Sequence, residues 1–336
     1  MNNKRVTIRD VAKEAGVSVA TVSRYLNNNS YMSEDTERKI REVMDRLEYK
    51  PNEIARGLAK QKSNTIALII PDMTNPFFPD LVKAIEEVAK SKGYSLLLIN
   101  SDEHDLQDEQ FWESFKRRYI DGFILASFQF DEEVLAGLES LNIPFVGVDR
   151  AVKLNSLNSV GIDNFEGAKI ATDHLIDIGC KKIAHISGPK SFLPSLDRVK
   201  GYIDSIAKRC PNQEPIILEG DFSIEGGRKL TGKLVMEHQD VDGIFFSNDL
   251  MAIGSLKALK ALNIIVPKDI AIIGFDGIKL TELVEPEIST IEQPVYNMGA
   301  VATIKLINLI EKQSNGIANY DLSVRLIRRE STLGFR

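Results

Sequence analysis

The feature that most restricts how this chain can fold is a duplication in the segment after Asn64. Thr65-Ile66-Ala67, running to Pro71, has a counterpart in Lys182-Ile183-Ala184, running to Pro189. Asp121-Gly122-Phe123-Ile124 matches Asp242-Gly243-Ile244-Phe245. Ile143-Pro144-Phe145-Val146-Gly147-Val148-Asp149 matches Ile270-Ala271-Ile272-Ile273-Gly274-Phe275-Asp276. The three offsets fall between 117 and 127 residues, so the economical reading is one α/β lobe present twice. Within each copy, short β-branched runs alternate with amphipathic stretches. Strands are predicted over 65–70, 95–99, 122–126 and 145–148, then over 183–186, 243–246 and 270–274. A helix is predicted over 78–92, with Leu81, Val82, Ile85, Val88 and Ala89 on one face. Strand–helix alternation of this kind builds parallel sheets covered by helices on both faces.

Two open α/β sheets that face each other bind ligands in the crevice at the carboxyl ends of their strands. Those ends nominate a site. Asp72, Asn75, Phe77 and Phe78 follow the first strand, and Asp149 and Arg150 follow the fourth. In the second copy the candidates are Arg198, Phe222, Asn248, Asp276 and Gln293. Carboxylates, amides and guanidinium groups beside phenyl rings suit a polyhydroxylated ring. The hydroxyls take bidentate hydrogen bonds, and the C–H faces stack on aromatics. Taken singly, each residue has a plainer reading: Asp149 or Asp276 as a helix cap, Arg198 as a surface ion pair, Phe77 as core.

Before Pro51 the pattern is purely helical. Thr7 starts a first helix, with Asp10 placed to complete a capping box. Its apolar stripe is Ile8, Val11, Ala12 and Ala15, and Gly16 ends it. Only Gly16-Val17 separates it from Ser18, the natural cap of a second helix over about 19–26 that buries Val22 and Leu26. Ser33 caps a third, with Ile40, Val43, Met44 and Leu47 as its stripe. Two helices joined by so tight a turn form a helix-turn-helix, whose second helix enters the major groove. There Arg24 can pair bidentately with guanine, and Val19 and Ala20 can touch thymine methyls. Thr21, Ser23 and Asn27 suit phosphate oxygens. Thr7, Ser18 and Ser33, at the three helix starts, complete the candidate DNA-contact set of the head. The plainer alternative is a small charged three-helix bundle.

The wording of this head, Thr7-Ile8-Arg9-Asp10-Val11-Ala12 and Ala15-Gly16-Val17-Ser18-Val19-Ala20-Thr21-Val22-Ser23-Arg24, closely resembles the lactose/galactose repressor family. Tyr49-Lys50-Pro51-Asn52-Glu53-Ile54-Ala55-Arg56-Gly57-Leu58 resembles it too, and the likeness extends over essentially the whole chain. It implies a hinge helix over 51–63 that enters the minor groove, with Asn52 and Ala55 as contacts and Leu58 wedged between base pairs. A helix this short does not persist alone, which fits ordering on DNA. The resemblance also implies interleaved lobes, 64–161 with 290–321 and 162–289 with 322–336, behind a head over 1–50. No leucine-rich heptad tail follows the last predicted strand, so a homodimer is expected. The candidate pocket is similar to that of bacterial ribose-binding proteins, which points to a small unphosphorylated sugar, ribose first, as effector.

Charge agrees with this division. Residues 1–62 carry 13 Lys and Arg against 9 Asp and Glu, net +4, while the rest carries 29 against 39, net −10. A basic head on an acidic body expects operator DNA at the head alone. The N-terminus has no signal-peptide pattern, no apolar run is long enough to span a bilayer, and two cysteines make no disulfide framework; a cytoplasmic protein is expected. No phosphate loop, dinucleotide fingerprint or nucleophile elbow is found, and the four histidines lack metal-ligand spacing, so neither an enzyme nor a cofactor or metal is expected. Two alternatives remain within the family. One is a purine-type effector. The other is a catabolite-control regulator answering to a phosphorylated carrier protein, which Gly299-Ala300-Val301-Ala302 resembles, although Thr303-Ile304-Lys305 follows where an arginine would be needed.

Overall fold

The structure, a computed structural model, describes residues 6–26, 32–49, 62–101, 103–116, 120–126, 132–149, 157–313 and 316–335. It divides into two compact units, Met1–Ser63 and Asn64–Arg336.

The first unit contains α1 (Ile8–Ala15), α2 (Val19–Leu26) and α3 (Glu34–Arg46). The Asp10 carboxylate accepts from both the Thr7 N–H (2.8 Å) and the Thr7 hydroxyl (2.7 Å), which fixes the start of α1. Gly16 ends it at φ 68°, ψ 30°, a left-handed conformation that glycine adopts without a Cβ penalty. The chain there turns tightly enough for Ser18 to cap α2 at once: the Thr21 N–H donates to Ser18 Oγ at 3.1 Å. Val11, Ala12, Val22, Ile40 and Val43 form the small core.

The second unit holds two six-stranded sheets. The first comprises β1 (Thr65–Ile70), β2 (Ser95–Asn100), β3 (Gly122–Ala126), β4 (Phe145–Val148), β5 (Ser159–Ile162) and β11 (Asn319–Leu322), in the order β11-β5-β4-β3-β1-β2, all parallel. The second comprises β6 (Ile183–Ser187), β7 (Ile216–Glu219), β8 (Gly243–Phe246), β9 (Ala271–Asp276), β10 (Ser289–Glu292) and β12 (Arg325–Ile327), in the order β12-β10-β9-β8-β6-β7. Only β12 runs antiparallel to its neighbour. The duplication is kept in register, since Ile66 faces Gly122 in one sheet and Ile183 faces Gly243 in the other. In both sheets the strand order reverses beside the first strand, and crevices open at such a switch point.

Helices α4 (Phe77–Ser91), α5 (Glu103–Gln107), α6 (Glu109–Lys116), α7 (Glu132–Ser140) and α12 (Val295–Ile310) serve the first lobe. Leu81, Ile85, Met298, Ala302 and Leu306 bury one face of its sheet, and Trp112, Phe115, Phe123 and Leu138 fill the other. Around the second sheet lie α8 (Asn164–Asp177), α9 (Leu193–Arg209), α10 (Ile224–Glu237) and α11 (Asp249–Ala261). The Tyr202 hydroxyl ties α9 to that sheet, donating to the Ile183 carbonyl (2.8 Å) and accepting from the Ile216 N–H (3.0 Å).

The chain passes between lobes after β5, after β10 and after β11. The second passage lies beyond the expected one: residues 290–292, assigned from sequence to the first lobe, pair with β9 and β12 in the second sheet. No turn-forming residue interrupts Ser289–Glu292, and Pro294, which cannot extend the ladder, marks the real end. The last predicted strand also shifts, from 270–274 to Ala271–Asp276.

Candidate functional site

A cavity of about 700 Å³ opens between the carboxyl ends of the two sheets. Asp72, Asn75, Phe77, Phe78, Asp149, Arg198, Phe222, Asn248 and Asp276 all line it. Gln293 lies just behind, donating from Nε2 to Asp276 Oδ1 at 2.8 Å. Arg150 falls outside the described residues.

The second lobe sets the floor. Arg198 projects from α9 and is only 3% exposed. Its guanidinium carbon sits 3.7 Å from the centre of the Phe275 ring, a desolvated cation–π contact. Nε donates to Asn164 Oδ1 (2.8 Å), Nη1 donates to the Ser247 carbonyl, and Nη1 lies 3.8 Å from Asp276 Oδ1. Burial pulls the guanidinium pKa down while the carboxylates Asp276, Asp149 and Asp249 hold it up. Burial pushes the Asp276 carboxyl well above the usual carboxylate range; Arg198 pulls it back and Asp149 pushes it further up. Asp249 is raised in the same way by burial and by Asp276, but its oxygens are occupied by the Gly277 N–H (2.7 Å), the Ile278 N–H (2.9 Å) and the Thr290 hydroxyl (2.7 Å). Asp249 therefore braces the loop after β9, leaving Asp149 and Asp276 to face the cavity.

Backbone strain gathers at the same place. Asp149, Phe222 and Asp276, all lining residues, have φ values of 55°, 62° and 114°. Side chains rarely adopt positive φ, and such conformations persist where surrounding contacts over-determine them. Asp149 and Asp276 are equivalent positions of the duplication, so each lobe aims one carboxylate inward by the same local distortion.

Several lining residues also hold their own loops and helix starts, and Phe77 fills the core role its sequence allowed. Asn75 Oδ1 accepts the Phe77 N–H (3.0 Å), Asn248 Oδ1 accepts the Met251 N–H (3.0 Å), and Asp72 Oδ1 accepts the Thr74 N–H (2.8 Å). Asn248 Nδ2 holds the Phe222 carbonyl at 3.0 Å, fixing the strained residue. Phe77 and Phe78 pack edge to face at 5.3 Å, mostly inside the core, with one side each on the cavity.

Further lining residues escaped the sequence reading: Ser191, Phe192, Asp221, Ser223, Ile224 and Leu280 among them. The strand-end rule applied to β6 finds the first two, because Ser187 is followed by Gly188 and Pro189. Gly188 is required there: a Cβ would come within 2.2 Å of the Phe222 ring. Beneath them lies His185, fully buried and stacked on Phe245 at 4.4 Å. Burial drives its pKa down to about 3, so it is neutral. With Nδ1 donating to the Phe245 carbonyl (3.0 Å), Nε2 is left to accept from Ser247 Oγ (3.3 Å).

On the head, Val19, Ala20 and Arg24 form an exposed face of α2, with Thr21 and Ser23 half-buried beside it. Among the described residues Arg24 makes no ion pair. The hydroxyls of Thr7, Ser18 and Ser33 are engaged at helix starts. Asn27, Asn52, Ala55 and Leu58 lie outside the described residues. No described helix is long and apolar enough to cross a membrane.

Comparison with known proteins follows the same division. Residues 63–330 match the periplasmic binding proteins and sugar binding domain of LacI family, and residues 7–52 match the bacterial regulatory proteins of the lacI family. A ribose operon repressor of Halalkalibacterium halodurans is 42% identical over 329 residues, covering 98% of this chain and 97% of its own. Catabolite control protein A of Priestia megaterium is 35% identical, covering 97% and 99%. A crystal structure of the lac repressor dimer bound to operator and the anti-inducer ONPF superposes with a TM-score of 0.87 at 27% identity, covering 98% of this chain and all of that one.

Proposed function

Because the chain belongs to the LacI family of bacterial regulatory proteins, we propose that it represses by binding a near-palindromic operator as a homodimer, with ribose as effector. It is a ligand-responsive, DNA-binding repressor with a sugar-binding body, not an enzyme. In the proposed division, residues 1–50 are the head, 51–63 the hinge, and the lobes interleave as the strand pairings do. One recognition helix enters each half-site, with Arg24 reading a guanine and Val19 and Ala20 touching thymine methyls.

The observation that carries the effector reading is the facing pair Asp149 and Asp276, one from each lobe, with Arg198 stacked on the Phe275 ring beside them. Each carboxylate can bridge two vicinal hydroxyls, and Phe77, Phe78 and Phe222 offer faces for the sugar's C–H groups. The charge balance favours an unphosphorylated ligand. Among the described lining residues, Asp72, Asp149, Asp221 and Asp276 stand against Arg198 alone, and Arg198 already donates to Asn164 and Ser247. Among the described residues no free cation lines the cavity to offset the repulsion a phosphate would meet there.

A carrier protein as corepressor is disfavoured by Lys305. It is only 6% exposed, and its Nζ donates to the Gly316 carbonyl at 2.6 Å, so its charge does not face outward.

The test is calorimetry of the full-length protein with ribose, fructose, sucrose and hypoxanthine, paired with operator binding at fixed salt. Ribose is expected to bind and to change operator affinity by about 1–3 kcal/mol. Binding of the purine alone, or of a phosphorylated carrier protein and no sugar, overturns the reading. Sedimentation at micromolar concentration is expected to give a dimer, and a stable tetramer or monomer contradicts that part.

A further inference from the structure

The cavity is larger than a single pentose needs. At the share of volume a water molecule takes in the liquid, about 30 Å³ for each non-hydrogen atom, the ten heavy atoms of a pentose fill about 300 Å³. The cavity holds about 700 Å³. Closure of the lobes would narrow the space between them, but part of the wall belongs to one lobe only. Ser191, Phe192, Asp221, Ile224 and Leu280 all come from loops and helix starts of the second lobe, so a rigid rotation of one lobe against the other leaves their mutual geometry unchanged.

We propose that these second-lobe residues form an outer subsite, centred on Phe192, Ser191 and Leu280, that receives an aromatic or apolar group attached to the effector sugar. The proposal rests on the sugar reading of the cleft and extends it from a free monosaccharide to a glycoside or nucleoside.

The wall is built rather than incidental. Phe192 packs edge-on against Phe222 with centroids 5.7 Å apart, so the outer ring continues the aromatic surface of the sugar site. Its loop is pinned on both sides: the Lys190 N–H donates to Glu219 Oε1 (2.9 Å), and the Phe192 N–H donates to the Pro189 carbonyl (3.1 Å). Leu280 rides on a short 3-10 turn, Lys279–Glu282, held by Arg329 through Thr281 Oγ1 (3.0 Å) and Glu282 Oε1 (2.9 Å). Leu280 is 37% exposed and Ile224 48%, so both present apolar surface from anchored positions.

The chemistry selects the occupant. A second sugar ring would need several converging donors and acceptors. Ser191 offers a hydroxyl, and the Asp221 carboxylate already accepts the Ser223 N–H (2.9 Å) and Ser223 hydroxyl (2.7 Å). What remains is a phenyl ring and two aliphatic side chains, a lining suited to stacking and apolar contact.

The experiment compares D-ribose, methyl β-D-ribofuranoside and adenosine by calorimetry on the full-length protein, its Leu280→Ala variant and its Ser191→Trp variant. Wild type is expected to bind adenosine at least tenfold more tightly than the methyl riboside. Both variants are expected to lose that advantage and to bind free ribose within twofold of wild type. Equal or weaker binding of adenosine by wild type, or variants that weaken ribose as much as adenosine, overturns the subsite. If no pentose compound binds, the ribose reading fails, and phenol alone then reads the subsite. Saturation transfer from wild type to phenol that Ser191→Trp removes supports it, and no transfer from wild type refutes it.

Discussion

Replacing Arg198 by methionine isolates the charge at the floor of the cleft. Methionine keeps an apolar stem over the Phe275 ring, where the guanidinium carbon lies 3.7 Å from the centroid, and deletes the hydrogen bonds to Asn164 and Ser247 and the ion pair with Asp276. Two buried acceptors lose their donors, at about 1 kcal/mol each toward the low end of the desolvation range. The ion pair adds a pH-dependent part. Burial already raises the folded-state pKa of Asp276, so the native protein holds that proton more tightly than the unfolded chain does. Stability from this group is therefore lost as pH rises from the ordinary carboxylate range through the raised folded value. Without Arg198 the folded value rises further and the loss extends to higher pH. The deficit of the variant against wild type is expected to be about 2 kcal/mol at pH 5, where Asp276 is protonated in both. It widens toward about 3 kcal/mol at pH 8, because that pH lies one unit above the wild-type folded value of about 7 and linkage adds about 1.4 kcal/mol at most over that unit. Urea unfolding followed by circular dichroism at both pH values measures it, with ribose calorimetry alongside. A deficit equal at the two pH values, or a variant that retains effector affinity, refutes the electrostatic account.

Arg24→Ala is expected to cost about 1–3 kcal/mol in operator binding and to relax preference at one base pair, read by fluorescence anisotropy at fixed salt; equal binding of mutant and wild type to operator and scrambled DNA ends that assignment. Leu58→Ala is expected to leave effector binding intact while weakening operator binding and reducing DNA bending in a circular-permutation gel assay; an unchanged bend removes the wedge. His185→Phe preserves the stack on Phe245 but removes the acceptor for Ser247 Oγ, so effector affinity is expected to fall threefold to tenfold with operator affinity unchanged; unaltered effector binding would show that Ser247 holds its carbonyl toward Arg198 unaided.

What could be read from the sequence was whatever repeats or alternates. The long β-branched runs of both lobes declare themselves, and their duplication fixes which strand ends are equivalent. That is why Asp149 and Asp276 were nominated together. Short strands carry too little pattern: β5 is Ser-Val-Gly-Ile and β12 only Arg-Leu-Ile, and neighbours rather than propensity make them strands. Phe192 and Leu280 are harder to read for a different reason, although the end of β6 points to the loop that carries Phe192. Each sits in a loop whose position depends on distant anchors, Glu219 for one and Arg329 for the other, and no local spacing reports an anchor 27 or 49 residues away. Arg198 is among the candidates named from sequence, but it is on a helix, and its burial is visible only once α8 and α9 are packed.

The passages between lobes explain why this site is suited to a switch. The first passage runs from β5 into α8, and the second residue beyond the strand is Asn164, whose Oδ1 accepts Arg198 Nε. The second runs from β10 into α12, and the residue just beyond the strand is Gln293, whose Nε2 donates to Asp276. The two charged groups at the cavity floor are thus each bonded to a residue on a crossing segment. Each of those residues also keeps one buried polar atom without a hydrogen-bond partner among the described residues, Nδ2 of Asn164 and Oε1 of Gln293. A ligand that engages Arg198 and Asp276 changes the pull on both crossings at once. A buried amide with spare capacity at each crossing can take a second hydrogen-bonding arrangement at little cost. If the lobes turn about these segments, as the proposed switch requires, binding energy spent at the floor reaches them directly, and the ligand's preference for one lobe arrangement would set the size of the response.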